Sequence, residues 1–140
     1  APALPRSAKP GRTVLINEDD EDLAAILAES FAARGHAVTV ARNPAEAELR
    51  LLDASVDVVV TDFSMPGGDG LALIRRVRAD ASLAHVAVVL ATGHPDADRL
   101  EREALSLRAA FIPKPYNLDA LLLAVERARD LVPPTSRLAA

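Results

Sequence analysis

Five residues have the types and settings to do chemistry together: Glu18, Asp19, Asp62, Thr92 and Lys114. Each closes or follows a short apolar or β-branched run. The clearest is Asp57-Val-Val-Val-Thr-Asp62, with the turn Phe-Ser-Met-Pro66-Gly-Gly-Asp-Gly70 at once behind it. In an open parallel sheet, ligands bind at the carboxyl ends of the strands. On its own stretch, Asp62 reads equally as a reactive carboxylate and as a cap for the next turn, a common use of Asp. Three crowded carboxylates repel one another, so such a site wants a cation. Oxygen ligands without His or Cys favour a hard ion such as Mg²⁺. With that ion bound, one carboxylate can attack a phosphoryl group. The peripheral phosphoryl oxygens then need cations and donors. Lys114 would supply a point charge, Thr92 a hydroxyl, and Gly93 an uncovered backbone N–H. Singly, each has a bland reading: a surface lysine, a turn hydroxyl, an acidic first turn facing a helix dipole. That last reading suits Asp20, Glu21 and Asp22. The joint placement at successive strand ends favours chemistry.

The elements that must position these residues alternate. Residues 13–16 read as a strand. The apolar positions Leu23, Ile26, Leu27 and Phe31 then recur at helical spacing, with Gly35 as the stop. Residues 37–41 are the second strand. Asn43-Pro44 caps a helix through Leu49, Leu51 and Leu52 to about Ala54. Residues 57–62 are the third strand. Residues 70–78 form an amphipathic helix with Leu73, Ile74 and Val77 inward and the arginines outward. Residues 86–91 are a fourth strand, apolar throughout and so buried on both faces. A charged helix over 96–107 and a short strand over 109–112 follow. Asn117 caps the last helix, which Pro133-Pro134 ends. Strand then helix, five times, predicts an α/β fold with a parallel sheet and helices on both faces.

At 140 residues this is one domain. Half the residues are hydrophobic and only 3% aromatic, which suits a sheet covered by small-residue helices. The absence of cysteine excludes a disulfide framework and a thiolate metal site. No run of about 18 apolar residues predicts a membrane span. The net charge of −4 argues against broad nucleic-acid binding. The Pro-rich, basic stretch over 1–12 reads as a linker and 132–140 as a tail, around a domain at 13–131.

Across about 13–131 the sequence resembles the response-regulator receiver domains of two-component signalling. Val-Leu-Ile-Asn-Glu18-Asp19, Thr-Asp62-Phe-Ser-Met-Pro-Gly-Gly-Asp-Gly, Val-Leu-Ala-Thr92-Gly and Phe111-Ile-Pro-Lys114-Pro115 carry the resemblance. It implies a flavodoxin-like (βα)5 doubly wound sheet of order 2-1-3-4-5. It also implies that Asp62 accepts the phosphoryl group and that Glu18, Asp19, Asp62 and the Ser64 carbonyl hold Mg²⁺. Lys114, ahead of a cis bond to Pro115, would bind the phosphoryl group, with Thr92 and Phe111 as the switch pair. The implied partner is a histidine kinase or histidine phosphotransfer protein, and the implied location cytoplasmic. The face made by the fourth helix, fifth strand and fifth helix would switch and could pair two copies; Leu121-Leu-Leu123 would feed that face or pack inward. Four features depart from the common pattern: Glu-Asp in place of Asp-Asp, with Asp19–Asp20 as an alternative pair; the polar Asn17 at a strand end; Phe111 in place of Tyr; and Pro113 before Lys114, which removes a backbone donor.

Other readings differ at single positions. An Asp-nucleophile phosphatase usually carries a second Asp two residues after the first, where this chain has Ser64. A flavin-binding module needs a Ser/Thr/Gly-rich loop after the first strand, where this chain is acidic. A phosphorylation-silent module would lack a site residue. The parent chain is open between a stand-alone or transcriptional regulator and a hybrid sensor histidine kinase with this domain at its C-terminus.

Overall fold

The computed structural model describes residues 12–53 and 55–133; the expected linker up to Gly11, the helix end at Ala54 and the tail from Pro134 lie outside them. The chain runs β1 (Thr13–Asn17), α1 (Glu21–Ala32), β2 (Ala37–Ala41), α2 (Pro44–Asp53), β3 (Val58–Asp62), α3 (Gly70–Ala79), β4 (Ala87–Thr92), α4 (Ala97–Ser106), β5 (Ala110–Pro113) and α5 (Leu118–Asp130). The five strands form one sheet in the order β2-β1-β3-β4-β5, parallel throughout. Fold class and strand order are those expected from the sequence.

Successive strand residues point to opposite faces, and the chain uses both. Val14, Ile16, Val58, Val60, Val89 and Ile112 pack under α1 and α5 with Leu27, Phe31, Leu121 and Val125. On the other face Leu15, Val59, Val88 and Leu90 pack under α2, α3 and α4 with Leu51, Leu73, Ile74, Val77 and Leu100. β4 is buried at every position, which its unbroken apolar run requires.

Four helices begin with a side-chain cap: Asp20 accepts from Asp22 and Leu23, Asn43 from Glu46, Asp69 from Ala72 and Asn117 from Ala120. Each occupies an otherwise orphaned N–H. α4 differs, because its N-cap Asp96 makes no such bond. Only Leu100 and Ala104 of α4 are buried. Full burial of Leu100 contributes ~2 kcal/mol, so α4 is the most thinly anchored helix.

Several expectations change. β4 and β5 each start one residue later than the sequence suggested and extend through Thr92 and Pro113. Ile26 of α1 is 60% exposed, so helical spacing overstated its inward face, and Leu49 and Leu52 of α2 are 59% and 79% exposed. On α1 the inward row is Leu23, Leu27 and Phe31, four residues apart, and Ile26 falls off its edge. In the Leu121–Leu123 run, Leu121 is fully buried, Leu122 lies at the core's edge and Leu123 is 61% exposed. The arginines of α3 do not all face outward. Arg78 turns back to the amino rim of the sheet and donates to the carbonyls of Val86, Leu107 and Arg108 at 2.8, 2.8 and 3.2 Å.

Candidate functional site at the carboxyl rim

Because all five strands run parallel, their last residues share one rim. β3 delivers Asp62 there, and Gly70 keeps the next helix close behind it. A Cβ on Gly70 would stand 2.5 Å from the Asp62 carbonyl oxygen and 2.8 Å from Leu90 Cδ1, so a side chain there would push α3 off the strand. Between them, Ser64–Met65 and Gly68–Asp69 pair as a two-residue antiparallel hairpin, with Gly67 at φ +88° and Gly68 at φ +146°. Glycine takes these left-handed angles without the clash a Cβ would meet.

Below Asp62, Asn17 is fully buried, and its Nδ2 donates to Thr61 Oγ1 at 3.1 Å. Thr61 Oγ1 in turn donates to the Asp62 carbonyl at 3.0 Å. The polar residue that ends β1 thus braces, through Thr61, the backbone of Asp62 at the end of β3. Asn17 Oδ1 is buried without a protein partner.

Glu18 follows β1 and is only 5% exposed. Its carboxylate accepts the Asp20 N–H at 3.1 Å. Carboxylate oxygens of Glu18, Asp19 and Asp62 lie within 4.8 Å of one another. Asp20 turns away to cap α1, so the geometry groups Glu18 with Asp19 and leaves out the Asp19–Asp20 alternative. Lys114 Nζ stands 3.3 Å from both Glu18 Oε1 and Asp62 Oδ1. Asp62 Oδ1 also accepts the Phe63 N–H at 3.0 Å.

Burial pushes the carboxyls of Glu18 and Asp62 above their usual range, and Lys114 only partly offsets this. Burial also pulls the Lys114 ammonium down, but the attraction of Asp62 and Glu18 outweighs it and the net shift is upward. The two results agree once the charges are counted: one ammonium is shared, so each acid is under-compensated while the base is over-compensated. The all-oxygen donors and the residual negative charge fit a hard divalent cation.

Thr92 is 3% exposed, and its Oγ1 accepts the His94 N–H at 2.9 Å. Its carbonyl accepts the Lys114 N–H at 3.0 Å, which ties β4 to the lysine that reaches the acids. The Lys114–Pro115 bond is cis. Ser64 is exposed at the start of the hairpin. Phe111 is half-buried on β5, away from the acids. It lines a groove of about 870 Å³ with Ala97, Glu101, Leu105 and Arg127. Sequence reasoning assigned nothing to His94 or Phe63, whose rings meet edge to face at 5.4 Å. The one signal in the sequence was the position of His94 two residues past Thr92.

Residues 14–126 match the family described as response regulator receiver domain. The chain is 30% identical over 115 residues to the DNA-binding transcriptional regulator NtrC of Escherichia coli (strain K12), covering 82% of this chain and 24% of that protein. It is 38% identical over 120 residues to the transcriptional regulatory protein FixJ of Azorhizobium caulinodans, covering 82% of this chain and 53% of that one. It thus spans about a quarter of the first and half of the second. The non-phosphorylated HemR receiver domain from Leptospira biflexa superposes with a TM-score of 0.75 at 31% identity, covering 88% of this chain and 98% of that domain. With the fold, the acidic rim and the family match in agreement, the chain belongs to the response regulator receiver domains of two-component signalling.

Proposed function

We propose that this domain accepts a phosphoryl group on Asp62 from a phosphohistidine of a histidine kinase or histidine phosphotransfer protein. The P–N bond to the imidazole breaks, its electron pair stays on the imidazole, and an Asp62 oxygen forms the new P–O bond. The carrying observation is Lys114 Nζ at 3.3 Å from Asp62 Oδ1, beside three clustered carboxylates. The ammonium is placed to hold a phosphoryl oxygen, and the Thr92 hydroxyl, whose lone pair takes the His94 N–H, keeps its proton to donate. Glu18, Asp19, Asp62 and the Ser64 carbonyl would hold Mg²⁺. When bound, the ion offsets negative charge at the acids and the phosphoryl oxygens.

Asp62 phosphorylation adds charge beside Thr92 and Lys114. Thr92 then turns toward the phosphoryl group, and Phe111 moves into the space it leaves. The output face is α4, β5 and α5, which carries the groove and the exposed Leu105 and Leu123 and can pair two copies. The named relatives are transcriptional regulators, which favours a regulator as the parent chain over a hybrid sensor kinase. The domain would act in the cytoplasm and leave nucleic-acid binding to another part of the parent. Ser64 in place of a second acid weighs against a phosphatase.

The test is incubation with acetyl phosphate and Mg²⁺, read by intact mass. One phosphoryl mass should be gained, lost in Asp62→Asn, and lost with its Mg²⁺ dependence in Glu18→Ala plus Asp19→Ala. A gain that persists in Asp62→Asn overturns the assignment.

A further inference from the structure

His94 lies between the acidic rim and α4 and touches both. Its backbone N–H donates to Thr92 Oγ1 at 2.9 Å. Its ring meets Phe63 edge to face, centroids 5.4 Å apart at 76°. Its Nδ1 accepts the Asp96 N–H at 3.0 Å. Phe63 is the residue after Asp62 and donates its own N–H to the Asp62 carboxylate. Asp96 is the N-cap of α4.

The Asp96 carboxylate does not cap its helix; it pairs instead with Arg99 at 2.6 Å. The ring of His94 therefore satisfies an N–H at the start of α4 from outside the helix, as a back-reaching side chain does in a capping box. At the other end, Arg78 holds the carbonyls of Leu107 and Arg108. α4 is thus pinned at its C-terminal end and fastened at its N-terminal end by one imidazole, with only Leu100 and Ala104 buried between.

We infer that His94 is the positioning residue that couples the phosphoryl site to the N-terminal end of α4. The inference rests on phosphorylation of Asp62. Once Thr92 Oγ1 turns to the phosphoryl group, the His94 N–H loses its acceptor. Once an Asp62 oxygen carries the phosphoryl group as an acyl phosphate, the carboxylate charge that the Phe63 N–H bonds is lost, that bond weakens and the ring under His94 shifts. Both changes act on the same residue, and moving it withdraws Nδ1 from the Asp96 N–H. The first turn of α4 then loosens about the end that Arg78 holds. Two-state elements of this kind are biased by differential contacts.

Amide exchange of residues 96–100, measured with and without acetyl phosphate and Mg²⁺, tests the coupling, with intact mass reporting Asp62 occupancy in the same sample. Wild-type protein should take the label and lose protection in these amides. His94→Asn keeps a side-chain acceptor two residues before Asp96 but has no ring to rest on Phe63. It should take the label, retain basal protection and lose the part of the phosphorylation-dependent change that runs through the ring, while the part that runs through the backbone N–H on Thr92 remains. His94→Phe keeps a ring and lacks the acceptor, so these amides should exchange fast both before and after labelling. A purely structural cap predicts instead that His94→Asn restores the full wild-type response, and that result overturns the coupling. So does a labelled wild type with unchanged exchange in α4. A wild type that takes no label overturns the Asp62 reading itself, and the coupling with it.

Discussion

The two rims of the sheet each hold half-buried charge, and they settle it differently. At the amino rim the Arg78 guanidinium is answered by three backbone carbonyls and, among the described residues, faces no acid at hydrogen-bonding distance. Burial, with Arg108 nearby, lowers its pKa to about 10, which leaves it charged at neutral pH. At the carboxyl rim, Lys114 meets two full negative charges with a third close by. Carbonyl dipoles solvate the Arg78 cation through Nε and Nη2 and bring no opposing charge, while Nη1 stays buried without a partner among the described residues. Three carboxylates around one ammonium leave charge that a metal ion and a phosphoryl group can still use. The first arrangement holds the fold, and the second keeps a site reactive.

The comparison is easiest to break at Lys114. Lys114→Met keeps much of the stem and removes the ammonium. We predict that labelling of Asp62 by acetyl phosphate slows by roughly 100- to 1000-fold, the loss typical for one preorganised group facing developing charge. The rate of mass gain measures it. A rate within about twofold of wild type, well under a tenfold step, would make Lys114 a structural counter-ion.

At the opposite rim, Arg78→Met should leave labelling unchanged and cost stability. Hydrogen bonds from a charged donor contribute about 1.5–3 kcal/mol, and a buried acceptor left unpaired has its own penalty. The carbonyls of Leu107 and Arg108 regain some water, so the predicted net loss is about 2–3 kcal/mol, read from the urea midpoint. A parallel fall in labelling would show that the two rims are not separable.

That division was half visible in the sequence. Asp62, Glu18, Asp19, Thr92 and Lys114 could be placed because each ends a recognisable strand, and a parallel sheet brings strand ends to one rim. The sheet order and the two helical faces followed from the same periodicity and the receiver resemblance. Arg78 could not be read this way: its partners at Leu107 and Arg108 lie about thirty residues along the chain, and spacing within α3 made it one more outward arginine. Asn17 looked like a fault in β1 until Thr61, 44 residues away, supplied its partner. His94 was hidden for the same reason, because Phe63 lies on a different strand end. Periodicity tells which face a residue takes on its own element, and it is silent about what another element brings to that face. Ile26 erred oppositely: it fits a helical period, yet it is 60% exposed.

The smallest predicted effect concerns the stability cost of keeping the carboxyl rim reactive. Burial raises the Asp62 carboxyl above its usual range. Between the ordinary carboxylate pKa and the raised folded value, the native state therefore holds more protons than the unfolded chain. Unfolding free energy must then fall as pH rises through that window, and the penalty is complete above it. Asn at position 62 carries no charge at any pH. In EDTA at pH 7, Asp62→Asn should be more stable than wild type by about 1 kcal/mol. The gain should shrink as pH falls toward about 4, where the unfolded carboxyl takes up its proton. Glu18→Gln should behave with the same sign, since burial raises that carboxyl too. Urea unfolding at the two pH values decides the matter. A loss of stability at pH 7 would mean that attraction to Lys114 outweighs burial, and Asp62 would then be settled in the way Arg78 is.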